Sequence, residues 1–285
     1  MIIDLQQGSE EWHLWRKTHI TASMAPIIMG VSKWTTPYQL FCEMTGLSPP
    51  KQQTEVMSKG LELEPIARCE VEEGLDMSLP PCVLQMKAWD WMGASLDGYN
   101  AENKVVLEIK LANYTDHSVA ASGKVPDHYY PQVQYQMMVA QVHTMYYYSY
   151  RPEGGSILLE VKRDVEYCSQ LLERAADFWR RLQECDPPDL TDRDYERRDD
   201  EDWKRYAKEI LELQKQKNLI EESLEGLRKD LEELSNGKSC IGGGIRFSRQ
   251  TRKGQIDYSR VNELKGVNLE DYRKSPVTFY RIGKE

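Results

Sequence analysis

No apolar run in this 285-residue sequence approaches the roughly 18 residues that a membrane-crossing helix requires. The first residues, Met1 to Gly8, carry Asp4 where a secretory signal would be basic and then apolar. Both absences predict an intracellular protein without a membrane partner. Six cysteines (Cys42, Cys69, Cys82, Cys168, Cys185 and Cys240) contain no C-x-x-C pair, which argues against a zinc ribbon, an iron–sulfur cluster or a disulfide framework. Positive charge is also short, 37 Lys and Arg against 46 Asp and Glu. What is present is an ordinary globular composition, with 40% hydrophobic and 29% charged residues. The length suits one core of roughly 200 residues with an appendage.

The charge deficit is unevenly spread. Residues 1–190 hold 16 basic against 26 acidic residues, residues 191–236 hold 10 against 15, and residues 237–285 hold 11 against 5. The basic surplus therefore sits entirely in the last segment, which suits either a polyanion contact or a solvated tail.

Local signals predict an α/β core over residues 1–190. Ser9 precedes a helical pattern through Trp12, Trp15 and Arg16, Thr36-Pro37 starts a helix running to Gly46, and Glu55 to Gly74 reads as a longer helix. Val83–Ala88, Trp91–Leu96 and Val105–Lys110 read as strands, the last two joined through Asp97-Gly98 and Asn100 to Asn103. A helix over Tyr130–Gln141, strands over Tyr146–Tyr150 and Ile157–Lys162 around a Pro152/Gly154-Gly155 turn, and a helix over Asp164–Cys185 follow. Asp186-Pro187-Pro188-Asp189 punctuates the chain. Residues 191–236 form a charged linker and a heptad helix whose stripe runs from Trp203 to Leu234, apolar except at Lys217. Such a stripe needs cover, on its own chain or in a coiled coil. Residues 237–285 read as a basic tail containing β structure, with a hairpin from Gly242–Gly244, Ile245–Ser248 and Gly254–Tyr258, then an extended piece over Tyr272–Ile282.

The sharpest chemical signal is Asp97 at a strand-to-turn junction, followed by Glu108-Ile109-Lys110 on one strand. Alternation places Glu108 and Lys110 on one face and Ile109 on the other. Two carboxylates and a lysine suit phosphodiester hydrolysis by metal-activated water, and they equally suit a cross-strand salt bridge. Two close carboxylates repel unless they are protonated or neutralised by a divalent ion, and one lysine offsets a single charge. The donors are hard oxygens, which favours Mg²⁺, with Mn²⁺ as a substitute, over zinc. Glu64 precedes the strands in a helix and the glutamines of Tyr130-Pro131-Gln132-Val133-Gln134-Tyr135-Gln136 follow them in another. This order resembles the PD-(D/E)XK nuclease core, a mixed central sheet flanked by helices, although Leu96 replaces the proline before the first acid.

Three further motifs narrow the resemblance. Gln7-Gly8-Ser9-Glu10-Glu11-Trp12, Trp15-Arg16 and Ile20-Thr21-Ala22-Ser23 precede Gly60–Arg68, Gly93–Gly98, Leu107–Lys110 and Pro131–Tyr135 in an order similar to that of the YqaJ-like viral recombinases, the family of phage lambda exonuclease. The likeness covers about residues 1–185. It implies that Asp97, Glu108 and the Ile109 carbonyl bind catalytic Mg²⁺ and that Lys110 orients or activates the attacking water. Glu64 corresponds to an acid near a second metal ion, Gln134 to a glutamine of the active-site shell, and Arg16, Ser23 and Ser95 to residues holding a 5′-terminal phosphate. A guanidinium fork with nearby hydroxyls is a sound anion clamp. Ser23 could instead cap the helix after it, and Arg16 could pair with Glu10 or Glu11.

The implied activity is Mg²⁺-dependent 5′-to-3′ exonuclease digestion of linear double-stranded DNA, leaving 3′ single strands for recombination. The resemblance also implies a ring-shaped homotrimer, a single-strand annealing protein as partner and a phage- or prophage-encoded protein in the cytoplasm of a bacterial host. An endonuclease on the same fold, or a non-catalytic DNA-binding scaffold, are the alternatives.

Overall fold

The computed structural model describes residues 1–49, 54–153 and 155–249. The chain divides into two compact units, residues 1–197 and 198–285. The first unit begins with β1 (Ile2–Ile3), α1 (Glu10–Lys17), β2 (Ile20–Thr21), α2 (Ala25–Ile28), α3 (Pro37–Met44) and α4 (Glu55–Leu75). Four strands follow, β3 (Cys82–Gln85), β4 (Met92–Leu96), β5 (Gly98–Asn100) and β6 (Val105–Leu111). It closes with α5 (Tyr114–Ala121), α6 (Tyr130–Ala140), β7 (Thr144–Tyr150), β8 (Ile157–Lys162) and α7 (Val165–Glu184).

The helix starts obey the local chemistry. Ser9 accepts the Trp12 N–H, and Thr36 with Gln39 makes a reciprocal capping box ahead of Pro37. Asn113 caps α5 through the Asp116 N–H, a helix the sequence pattern does not announce because its apolar periodicity is weak. In α7, Cys168, Leu171, Ala175 and Phe178 recur every three or four residues and are buried.

The expected mixed β structure is present as two four-stranded sheets. The first runs β1-β3-β4-β2, with β2 parallel to β4 and the other pairs antiparallel. The second runs β5-β6-β7-β8, with β6 parallel to β7 and the other pairs antiparallel. Asp97 is the single residue between β4 and β5, so it joins the sheets. The turn chemistry at Gly98–Asn100 conceals a short strand, because β5 pairs with β6 before the turn begins.

The main core gathers Ile20, Leu40, Phe41, Met92, Leu96, Tyr135, Met137, Tyr147 and Leu171. Tyr135 satisfies its buried hydroxyl by donating to the Ile20 carbonyl at 2.8 Å, which ties α6 to β2. Past Pro188 the chain is still fastened to this unit. Asp194 accepts from Thr36 Oγ1 at 2.5 Å, and Arg193 donates to the Ser32 and Lys33 carbonyls at 2.8 Å each.

Gly93 on β4 has a packing role. A β-carbon there would stand 2.5 Å from Cζ2 of Trp15, within the indole's own volume. Gly93→Ala is therefore expected to destabilise the protein by about 1–3 kcal/mol, the usual cost of overpacking. A lowered urea midpoint at unchanged m-value would confirm it; an unchanged midpoint would mean that Trp15 swings aside freely.

In the second unit, α8 (Glu201–Ser235) is capped by Asp200 and ends at Asn236 in the left-handed conformation. At 1.5 Å per residue it is about 50 Å long. Trp203, Tyr206, Leu213, Ile220, Leu224, Leu227 and Leu234 of its stripe are exposed. β9 (Cys240–Gly242) pairs antiparallel with β10 (Ile245–Phe247). Gly243 and Gly244 both have positive φ, as a two-residue hairpin turn requires. The expected hairpin partner Gly254–Tyr258 and the extended piece Tyr272–Ile282 lie outside the described residues, as does Gly154 of the β7–β8 turn. No described helix is long and apolar enough to cross a membrane.

Candidate active site

β6 carries the centre of the site. Glu108 sits opposite Tyr147 and Lys110 opposite Ser149 on the parallel neighbour β7, and the two-residue period gives Glu108 and Lys110 a common face. Lys110 Nζ lies 2.5 Å from Glu108 Oε1, an ion pair within β6 rather than across strands. Asp97 turns toward the same strand, where its Oδ2 accepts the Ile109 N–H at 2.7 Å. The Ile109 peptide is thereby fixed beside both acids.

Glu64 reaches the site from α4. Arg68, one turn further on, donates to Glu64 Oε1 at 3.1 Å and to the Asp97 carbonyl at 2.7 Å. This arginine stands at the end of the Gly60–Arg68 motif, and the sequence pattern alone assigns it no role. Its i,i+4 spacing from an acid is the available signal.

Gln134 requires a correction. Its amide donates to the Lys162 carbonyl at 3.1 Å and accepts the Asp164 N–H at 2.9 Å, so it ties α6 to the β8–α7 junction. Gln132 and Gln136 take the position expected of it. Gln132 Nε2 donates to Glu108 Oε1 at 2.5 Å and Gln136 Nε2 donates to Glu108 Oε2. Residues two apart on a helix point in nearly opposite directions, whereas residues four apart share a face. The choice among three glutamines is therefore a question of helix phase.

Electrostatics mark the site as overcharged. Burial, and then the nearby Glu108 and Glu64 carboxylates, push Asp97 well above the usual carboxylate range, against the opposing Lys110 and the Ile109 N–H. Burial also raises Glu64, with Arg68 opposing and Glu108 adding to the rise. For Lys110, burial disfavours the charge, but Glu108 and Asp97 outweigh it and hold the ammonium protonated. The Lys110 ammonium also lies 5.2 Å from the centroid of the Tyr129 ring.

Hard carboxylate and carbonyl oxygens with uncompensated negative charge match the chemistry of a Mg²⁺-type cation. Among the described residues no three His, Cys, Asp or Glu side chains close around one point. The fit rests on the donors and their surplus charge.

Arg16, Ser23 and Ser95 form a second cluster. Arg16 donates to Ser23 Oγ at 3.0 Å and lies over the Trp12 ring, 4.6 Å from its centroid. Trp12 in turn donates its indole N–H to Ser95 Oγ at 2.8 Å. Trp12 is thus the missed member that joins the three. Ser23 caps neither the 3₁₀ turn at 22–24 nor α2, and among the described residues Arg16 makes no ion pair with Glu10 or Glu11. Burial weakens the hold of Arg16 on its proton, against the nearby Glu43. The Ser95 carbonyl accepts from Gln136 at 3.4 Å, so β4 connects the arginine cluster to Glu108.

Residues 11–143, which carry both clusters, match the YqaJ-like viral recombinase domain. The curated relative YqaJ of Bacillus subtilis (strain 168), described as uncharacterized, is 26% identical over 179 residues. That match takes in 61% of this chain and only 56% of the relative. The chain is also similar to the alkaline exonuclease LHK-Exo of Laribacter hongkongensis, at a TM-score of 0.54 and 23% identity over 61% of this chain and 93% of that one. A second LHK-Exo structure, in complex with dAMP, matches at a TM-score of 0.54 and 22% identity over the same shares. At these identities the likeness shows the fold, an α/β core with mixed sheets and flanking helices.

Proposed function

We propose that this chain is a metal-dependent deoxyribonuclease that degrades linear duplex DNA from a 5′ end. The observation that carries the reading is the convergence of Asp97, Glu108, Glu64 and Lys110 on one overcharged face, connected through Ser95 to an arginine–hydroxyl cluster. Mg²⁺, with Mn²⁺ as a substitute, would be held by Asp97, Glu108, the Ile109 carbonyl and Glu64. It would supply Lewis-acid activation of water and neutralise charge developing on the phosphate.

The chain's own groups account for the rest. Lys110, kept cationic by its neighbours, orients the attacking water and offsets the anionic transition state. Gln132 and Gln136 hold the Glu108 carboxylate in one rotamer from two sides. Arg68 fixes both the Glu64 side chain and the Asp97 backbone. Arg16 and Ser23 offer charged and neutral donors to a terminal phosphate. The resemblance to the YqaJ-like viral recombinases supports further proposals: 3′ single-stranded products, a ring-shaped trimer and an annealing-protein partner.

The deciding experiment digests linear duplexes bearing 5′-phosphate or 5′-hydroxyl ends beside a closed circle, with Mg²⁺ and with EDTA. Loss of the linear DNA alone, from the 5′-phosphorylated end and only with Mg²⁺, is the expected outcome. Cutting of the circle would make the protein an endonuclease, and no cleavage of any substrate would end the enzymatic reading.

Arg16→Ala should slow digestion of 5′-phosphorylated ends about tenfold or more relative to 5′-hydroxyl ends, as expected for losing a charge-assisted contact of about 1.5–3 kcal/mol. Equal slowing on both ends would leave Arg16 as a support for Trp12.

A further inference from the structure

Beside Lys110 lies a buried polar cluster that the proposed chemistry does not use. Asp116 on α5 is 3% exposed and His128 is 4% exposed, with His128 Nε2 3.4 Å from Asp116 Oδ2. Asn113 donates to the same Asp116 oxygen at 2.8 Å, and Lys33 Nζ lies 3.7 Å from the other. Burying such groups is costly unless pairing and hydrogen bonds compensate it. The His128 ring packs on Tyr129 at 4.1 Å between centroids, and Tyr129 lies 6.4 Å from Tyr147, the strand partner of Glu108. Beyond this stack stands the Lys110 ammonium, 5.2 Å from the centre of the Tyr129 ring.

We propose that Tyr129 is a positioning residue for Lys110, its ring face holding the ammonium in place and its own orientation fixed by the Asp116–His128 pair. The inference rests on the nuclease reading and deepens it. A lysine carries its point charge on a flexible four-carbon stem, so a single contact with Glu108 leaves the ammonium free to pivot. The negative face of an aromatic ring within about 6 Å supplies a second, differently directed attraction. Asn113 stands two residues past the end of β6 and caps α5, so the strand that carries Lys110 also leads to Asp116 at the back of the stack.

The test uses the full-length protein on a linear duplex with Mg²⁺. Tyr129→Phe should keep kcat within about twofold, since the ring face survives. Tyr129→Leu should lower kcat about tenfold with KM little changed. Phenylalanines carrying one, two and three ring fluorines at position 129 keep the shape while draining the negative face, so kcat should fall stepwise along that series. This series decides the matter if the leucine variant fails to fold. His128→Ala should lower kcat in the same direction, and the His128→Ala/Tyr129→Leu double variant should be no slower than Tyr129→Leu alone. A flat fluorine series, or changes confined to KM, would overturn the positioning role while wild-type cleavage upholds the nuclease. Absence of wild-type cleavage would overturn both.

Discussion

Lys110→Ala, Glu108→Ala and Asp97→Ala are each expected to lower the rate of DNA cleavage by at least about a hundredfold, the scale seen when one preorganised electrostatic group is removed from a reacting centre. Lys110→Ala is the cleanest of the three. It removes the ammonium while Glu108 keeps both amide donors, Gln132 and Gln136, so the buried carboxylate stays satisfied. Glu108→Ala strands those two amides and the ammonium together, and an unsatisfied buried polar group costs about 1–3 kcal/mol. Some loss of stability should therefore accompany its loss of activity. Glu108→Gln is no milder, because one end of the new amide would present donors to a donor. Rates measured on purified variants with native circular dichroism decide the point. Any variant that cleaves at the wild-type rate removes its residue from the chemistry.

The second large effect concerns the protein without divalent ions. Asp97 and Glu64 have carboxyls raised above their ordinary values in the folded state. A raised carboxyl contributes stability that is fully present below its unfolded pKa, about 4, and that contribution is lost as pH rises through the folded value. At neutral pH and in EDTA the protein therefore carries the cost of crowded charge. Asp97→Asn removes one of these charges and keeps an oxygen to accept the Ile109 N–H. It should raise Tm in EDTA, more at pH 8 than at pH 5. Saturating Mg²⁺ should do the same for the wild type, by about 2.7 kcal/mol at a hundredfold excess over Kd. For a unit of this size that is roughly 5–10 °C. The Asp97→Asn variant should gain little from Mg²⁺. Equal Mg²⁺ shifts in both proteins, read by differential scanning fluorimetry, would place the ion elsewhere.

How much of this was legible in the sequence depended on whether the signal was local. Thr36-Pro37, Asp164 and Asn236-Gly237 mark helix ends through side chains and turn residues within a few positions, and the helices lie where those residues place them. Two-residue alternation likewise put Glu108 and Lys110 on one face. The two-sheet arrangement was hidden because pairing partners lie far apart in sequence, β2 with β4 for example. The glutamine was misassigned because a helix's phase is set by what it packs against, here Cys168 and Lys162 on one side and Glu108 on the other. Trp12 and Arg68 were visible as motif members, but their roles depend on contacts 83 and 29 residues away.

The passage from β4 to β5 bears on the size of product that the proposed nuclease would release. Ser95, tied to the arginine cluster through Trp12, stands two residues before Asp97, with only Leu96 between them. Two steps of extended strand span about 6.6 Å, on the order of one nucleotide of backbone. If the terminal phosphate docks by Arg16 and the bond to be cut lies at Asp97, this short stretch of strand acts as a ruler whose unit is a single nucleotide. The ruler cannot be lengthened gradually. One inserted residue would turn the Asp97 carboxylate to the other side of the strand, so the chain would lose its cutting point before it could measure out a dinucleotide.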